Sequence, residues 1–414
     1  EGWVVAVAAC FAVQRRVVVR DMWWLDVLIT VVKIAVVIGG VLGLVSYVVL
    51  AERKVSAFIQ ERVGPNRVGL PFVGIGKSLA LGQPLADALK FLLKEDFVPA
   101  HVNKFYFWLA PGLAVIPPLV TLSVIPFGSV LDLSWLAKWL TQTFALSGEF
   151  ADALMRSLTN VPAVVADINV GLLLVFAITS LSVYGIVIAG WASNSKYPFL
   201  GGIRSSAQMI SYELAMGLSV VPLLMLAGSL NLGDLIDYQR ENGWFLLPIF
   251  AENFNWKSVL YAVPVAVSFA IFLVAAFAET NRLPFDLPES ETELVGGYHT
   301  EYSSMKFALF FLGEYAAMIV ASSLMVVLFL GGWSFPGIFG YGAMPDGTGN
   351  FWWGLANIGV FFVKMLVFIL FFIWVRWTLP RFRYDHLMNL GWKVFLPLAV
   401  VNVMVTAVVI AFVG

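Results

Sequence analysis

Residues 25–50 read LDVLITVVKIAVVIGGVLGLVSYVVL, twenty-six residues in which only Asp26 and Lys33 carry charge. A helix rises about 1.5 Å per residue, so roughly 20 apolar residues cross the hydrocarbon of a bilayer, and this run is long and apolar enough to do so. Seven further stretches share the pattern: Tyr106 to Ile125, Val170 to Ala189, Leu214 to Leu230, Val259 to Ala278, Phe307 to Leu330, Phe351 to Val375 and Val394 to Val413. The expected fold is therefore all-α, a polytopic membrane protein of about eight transmembrane helices joined by long cytoplasmic loops. The composition agrees, with 60% hydrophobic residues and 12% charged among 414. It excludes a soluble enzyme with one compact core.

Sidedness follows from the loops. The first, third, fifth and seventh connections hold 16 Lys and Arg, the other three hold 4. Positive-inside logic puts the odd loops in the cytoplasm and both ends of the eight-span unit outside. Residues 1–24 read as an N-terminal extension, whose first 21 residues precede the first methionine, Met22, and 25–414 as one transmembrane unit. A net charge of −1, with no basic arm, gives no general attraction to nucleic acid. A lone Cys10 cannot hold an iron–sulfur cluster, and His101, His299 and His386 lack metal-ligand spacing, so no metal is expected.

Chemistry concentrates on the cytoplasmic side. The first loop is long and carries an amphipathic stretch around Leu85 to Leu93, suited to a headgroup layer or to a docking partner. GIGKS at 74–78 lacks the first glycine and the preceding strand of a phosphate loop. The fifth loop holds Glu279, Asp286, Glu289, Glu291, Glu293 and Glu301 against only Arg282 and Lys306, the opposite of what topology asks there. Its interspersed Leu283, Phe285, Leu287 and Tyr298 suit a segment folded back onto the membrane.

More acids sit in or beside the spans: Glu213 at the start of the fourth, Glu279 at the end of the fifth, and Glu314 seven residues, about 10 Å, into the sixth. An intramembrane carboxylate is costly and faces a bundle interior, a wet cavity or a partner. Several converging from one side suit a proton relay, for which Glu213, Glu279 and Glu314 with the loop acids are the candidates. Lys33 and Lys364, the intramembrane cations, are expected to pair with carboxylates, although a buried lysine can also exchange protons, and Lys33 has snorkelling as a further alternative.

The loops carry AERK at 51–54, VGPNR at 63–67, QPLADALK at 83–90, ADINVG at 166–171, GWASNSKYPFLGGIRSSAQMISYE at 190–213, GSLNL at 228–232, AETNRLPFDLPESETELVGGYHTEYSS at 278–304, LFLGGW at 328–333 and RFRYDHLMNLGWKVFLPL at 381–398. In this order the set resembles the H subunit family of bacterial respiratory NADH:quinone oxidoreductase, complex I, whose mitochondrial counterpart is NADH dehydrogenase subunit 1. Two stretches depart from the family pattern, a longer link at 70–82 and an enlarged outward loop at 129–162 with amphipathic character around Trp135 and Trp139. Where some members carry a glutamate in the third span, this chain has Ser180.

The resemblance implies a protein of the bacterial cytoplasmic (inner) membrane that forms part of a quinone cavity and links quinone reduction to proton translocation. Arg53, Arg62, Arg282, Phe285 and Tyr298 are then the candidates to line that cavity, with quinone as substrate. NADH, FMN and iron–sulfur clusters would reside on partner subunits of the soluble arm, and other membrane-arm subunits and lipid would surround the chain. The alternatives are the related subunit of a membrane-bound hydrogenase or other donor dehydrogenase, and a stand-alone proton-coupled transporter. Against the last, no internal repeat with paired broken helices is evident.

Overall fold

The computed structural model describes residues 23–69, 80–145, 148–247, 256–286, 297–335 and 346–413. The expected N-terminal extension up to Met22, most of the long link at 70–82 with its GIGKS, and Glu289, Glu291 and Glu293 of the acidic loop lie outside these residues.

The apolar runs fold as helices, which make up about 73% of the structure. In chain order they are α1 (Trp23–Ile59), α2 (Gln83–Leu93), α3 (Lys104–Thr121), α4 (Ser134–Thr143), α5 (Glu149–Leu158), α6 (Gly171–Ser180), α7 (Ser182–Ala192), α8 (Lys196–Ala227), α9 (Leu232–Asn242), α10 (Trp256–Glu279), α11 (Ser304–Phe329), α12 (Phe351–Thr378), α13 (Tyr384–Asn389) and α14 (Leu396–Val413). A π-helical turn at Leu390–Phe395 joins the last two. Two-residue strands β1 (Val130–Leu131) and β2 (Val161–Pro162) pair antiparallel and close the base of the α4–α5 hairpin.

Among the described residues, seven helical units are long and apolar enough to cross a membrane: α1, α6 with α7, α8, α10, α11, α12, and α13 continuing into α14. The eighth expected span is α3, eighteen residues interrupted by Pro111, Pro117 and Pro118. It packs between α7 and α11. There Gly185 and Gly313 bring backbones together, since a Cβ on either would stand 2.7–2.8 Å from main-chain atoms of Ala114. The central helix is α11, buried at every residue from Tyr315 to Phe329 except Ala317.

The fourth span departs from expectation. The polar stretch before Leu214 is helix, not loop, and Glu213 lies seventeen residues beyond the first residue of α8. Polarity misleads here because Ser205, Gln208, Ser211 and Tyr212 point inward and find partners. Gln208 Nε2 donates to the carbonyls of Ala278 and Phe285, and the Tyr212 hydroxyl donates to the Leu387 carbonyl. The helix stops at Gly228, whose φ of +70° is left-handed and open to glycine at little cost.

Polar contacts lace the loops into two separate sets. On one side Lys306 pairs with Asp96 at 2.7 Å, Ser304 bonds the carbonyls of Phe91 and Lys94, Asn194 bonds that of His101, and Arg381 pairs with Asp286 at 3.2 Å. On the other, Asn231 bonds Asp167, Gly347 bonds Ser129, and Arg240 faces Asp346 at 3.9 Å. The first set joins only the odd loops and the second only the even ones, the segregation that the charge count requires.

Candidate functional site

The descending end of α10 and the turn after it are buried between α1, α8, α11 and α12. Arg282, in that turn, is only 4% exposed and meets two carboxylates from other helices. Its Nε lies 2.5 Å from Glu314 of α11, and its terminal nitrogen 3.4 Å from Glu52 of α1. Glu52 is itself 5% exposed, takes a hydrogen bond of 2.6 Å from the Tyr315 hydroxyl, and lies 2.5 Å from Arg376 of α12. The Arg282 guanidinium also lies over the Tyr315 ring at 4.1 Å. Two carboxylates and the Tyr315 ring thus surround a guanidinium, a group that stays cationic at any physiological pH.

Beside this cluster a cavity of about 60 Å³ opens between α3, α6–α7, α8, α10 and α11, large enough to admit water. Glu279 and Glu314 both line it, with Asn281 and Tyr298. Its remaining wall is mostly apolar, including Phe272, Val320 and Leu324. The third span breaks at Leu181, and the hydroxyl residues Thr179 and Ser182 on either side of the break face the cavity. Between them Ser180 hydrogen-bonds Glu213, which lies within electrostatic reach of Glu279. So the position that holds serine in this chain still contacts one of these acids.

Arg282 thus joins Glu314 to Glu52 and Arg376 by direct ion pairs, Glu279 shares the cavity with Glu314, and Glu213 lies within electrostatic reach of Glu279, six charges from six segments. The sequence singles out Glu213, Glu279, Glu314 and Arg282. It misses Glu52 and Arg376, which look there like ordinary charges at a cytoplasmic helix end; the available signal is that AERK at 51–54 and VRW at 375–377 each stand at the end of a span. Two loop acids stand apart from the cavity lining: Asp286 pairs with Arg381, and Glu301 is half-buried just before α11.

The five residues expected around a quinone lie in different local surroundings. Arg53 pairs with Asp87 at 2.7 Å in an exposed contact, and Arg62, also exposed, bonds the Gln60 side chain. Arg282 is held between Glu314 and Glu52. Phe285 is buried, stacked with Phe382 at 5.7 Å, while Tyr298 packs edge-on against His299 and Phe310. Burial beside Tyr298, Phe307 and Phe311 lowers the pKa of His299 to about 4. Among the described residues no group of three or more His, Cys, Asp or Glu is arranged to hold a metal ion.

The intramembrane lysines do not pair with carboxylates. Lys364 donates to three carbonyls, those of Leu330, Gly332 and Ser334 at 2.6–2.9 Å, and sits 4.2 Å from the Trp244 ring. The end of α11 leaves carbonyls unsatisfied, and a cation beside them meets the negative end of the helix dipole. Lys33 is half-buried on the outer surface of α1 between Val32 and Ile34, with no carboxylate partner among the described residues. Its long stem suits snorkelling.

Apolar spans packed around partly buried opposite charges, with the odd loops linked to one another, define a polytopic membrane protein. A family model described as NADH dehydrogenase matches residues 32–407. The chain is 44% identical to an NADH-quinone oxidoreductase H subunit of Koribacter versatilis, the second of that name there, over 94% of its length and 98% of the relative's. It is 47% identical to the first H subunit of the Geobacter metallireducens oxidoreductase over 92% and 96%, and 44% identical to the H subunit of Rhodospirillum rubrum over 94% and 96%. The chain belongs to the family of NADH-quinone oxidoreductase H subunits.

Proposed function

We propose that this chain, a membrane subunit of the NADH-quinone oxidoreductase complex, couples quinone reduction to proton movement through its partly buried carboxylates. Quinone is reduced beside the cytoplasmic loops, where Arg53, Arg62, Phe285 and Tyr298 contribute to the cavity that the partner subunits complete. Electrons arrive from NADH through flavin and iron–sulfur clusters on the soluble arm, and the complex lies in the bacterial cytoplasmic membrane. The charge change at the quinone passes through Arg282 and Glu52 to Glu314 and Glu279, and on to Glu213 and the neighbouring membrane subunits, with Asp286, Glu289, Glu291, Glu293 and Glu301 supplying the entry from the acidic loop.

The observation that carries this reading is that Glu279 and Glu314, from different helices, line one water-sized, mainly apolar cavity. Water there bridges two titratable groups without direct contact between them. Glu→Gln keeps size and most hydrogen bonding but removes titration. Each of Glu213→Gln, Glu279→Gln and Glu314→Gln should assemble, with quinone-coupled turnover and proton translocation reduced; normal values in all three would leave the relay without support.

A further inference from the structure

The enlarged outward loop folds into a hairpin whose two outer faces differ in kind. Its inner seam is apolar: Ala137, Leu154 and Leu158 are buried against Leu25 at the start of α1. On α5 the exposed positions include Glu149, Asp152 and Arg156, spaced along one charged face. On α4 the exposed positions include Trp135, Lys138, Trp139 and Gln142, at the three- and four-residue spacing of a single helix face. Both tryptophans are 54% exposed, and Phe144 at the end of α4 is 64% exposed. Solvent-exposed tryptophans at such spacing are unfavourable in water and at home where hydrocarbon meets headgroup.

The depth of this face can be read from the spans. On α12, the exposed tryptophans fall at Trp352 and Trp353 near one end and at Trp374 and Trp377 near the other. From Trp353 to Trp374 is 21 residues, about 31 Å along a helix, which matches the hydrocarbon thickness between two aromatic belts. The hairpin touches the outward belt twice. Trp135 meets Phe351 edge-on at 6.0 Å, and Phe150 of α5 stacks on Trp24 of α1 at 5.9 Å. The aromatic face of α4 is thus continuous with the exposed apolar surface at the outward ends of α1 and α12.

We propose that α4 is an interfacial membrane anchor, with Trp135 and Trp139 seated in the outer-leaflet headgroup layer, Lys138 between them against lipid phosphate, and the charged face of α5 turned to water. The occupant is phospholipid. A lysine flanked by tryptophans has the chemistry of an interfacial helix, an apolar body with a cationic handle at the phosphate level. The hairpin thereby tethers the outward end of α1, a helix that has little packing of its own along its most apolar stretch.

The test uses the assembled complex in its native membrane, with a benzophenone amino acid replacing Trp139, Asp152 or, as a reference exposed on the isolated chain within a span, Val363. After irradiation, positions 139 and 363 should both gain the mass of a phospholipid and position 152 should not. Cross-linking of position 139 to another subunit would assign the face to a protein partner and overturn the proposal; so would lipid capture at 363 with none at 139. If the position 139 variant fails to assemble, hydroxyl-radical footprinting of the unaltered complex in lipid nanodiscs reads the same face. Trp135 and Trp139 should then be oxidised at least fivefold more slowly than in the chain unfolded in denaturant, and equal rates would overturn the anchor.

Discussion

The guanidinium of Arg282 lies 2.5 Å from the carboxylate of Glu314, and both are nearly closed to solvent. Neither residue's neighbours in sequence announce the pairing. One stands in the turn after α10, the other inside α11, and the pair forms because the turn folds back into the bundle. The same Arg282 holds Glu52, so one cation neutralises acids from two helices while Arg376 supports the second.

Removing the cation should therefore hurt Glu314 more than Glu52, which keeps Arg376 and Tyr315. Breaking one side of a buried pair costs about 3–5 kcal/mol. Arg282→Met should lower the amount of assembled complex severalfold. Arg282→Met combined with Glu314→Gln should recover assembly without recovering proton translocation. Blue-native electrophoresis and proton-uptake measurements on the two variants check this, and equal assembly defects would mean that Glu314 is not the residue left uncompensated.

Ala317 breaks the run of buried residues on α11 and lines the cavity shared by Glu279 and Glu314. Ala317→Leu should displace water from that space. Proton translocation per quinone reduced should fall, while NADH oxidation with a soluble artificial acceptor stays within about twofold of the parent. Overpacking costs about 1–3 kcal/mol, so assembly should persist. An unchanged proton yield would argue against water in the route.

His299 lies outside the spans, and burial among Tyr298, Phe307 and Phe311 lowers its pKa from 6.5 to about 4. The folded form then binds fewer protons than the unfolded form, so this stability is complete above pH 6.5 and is lost as pH falls towards 4. The loss amounts to roughly 3 kcal/mol at most, at ~1.4 kcal/mol for each pH unit between the two values. The half-life of the complex in nanodiscs at fixed temperature should shorten across that window, and His299→Gln should flatten the dependence. The same slope in the variant would place the acid sensitivity elsewhere.

Arg53 and Asp87 form an exposed pair, and such pairs contribute less than about 1 kcal/mol. Arg53→Ala should leave assembly and artificial-acceptor activity near normal. A rise in the KM for quinone would then belong to Arg53 at the quinone cavity. Unaltered quinone kinetics would assign this arginine to the surface pair alone.

Much of this architecture is readable from letters alone, because apolar length and loop charge are physical requirements of a bilayer. Seven long spans follow from the runs, and the parity of the lysines and arginines anticipates which loops lace together. Glu279 and Glu314 stand out as acids without local reason. What stays hidden depends on the backbone or on distance. Lys364 binds main-chain carbonyls, which no residue letter encodes, and Glu52 meets Arg282 across 230 positions. The start of α8 reads as loop because its serines and Gln208 are polar, although the partners of Gln208 lie at the end of α10 and in the turn after it. The break at Leu181 sits in a run of serine and threonine that only its neighbours turn towards a cavity.

The two glycine contacts of α3 have a consequence for motion. At Gly185 and Gly313 a single methyl group would collide with the main chain of Ala114, so α3 is gripped on two sides at the height of one residue. Backbone contacts this close leave little space for α3 to move towards either neighbour. The chamber these helices enclose should keep nearly constant dimensions through the catalytic cycle, and changes within it should be restricted to side-chain rotations, water orientations and proton positions.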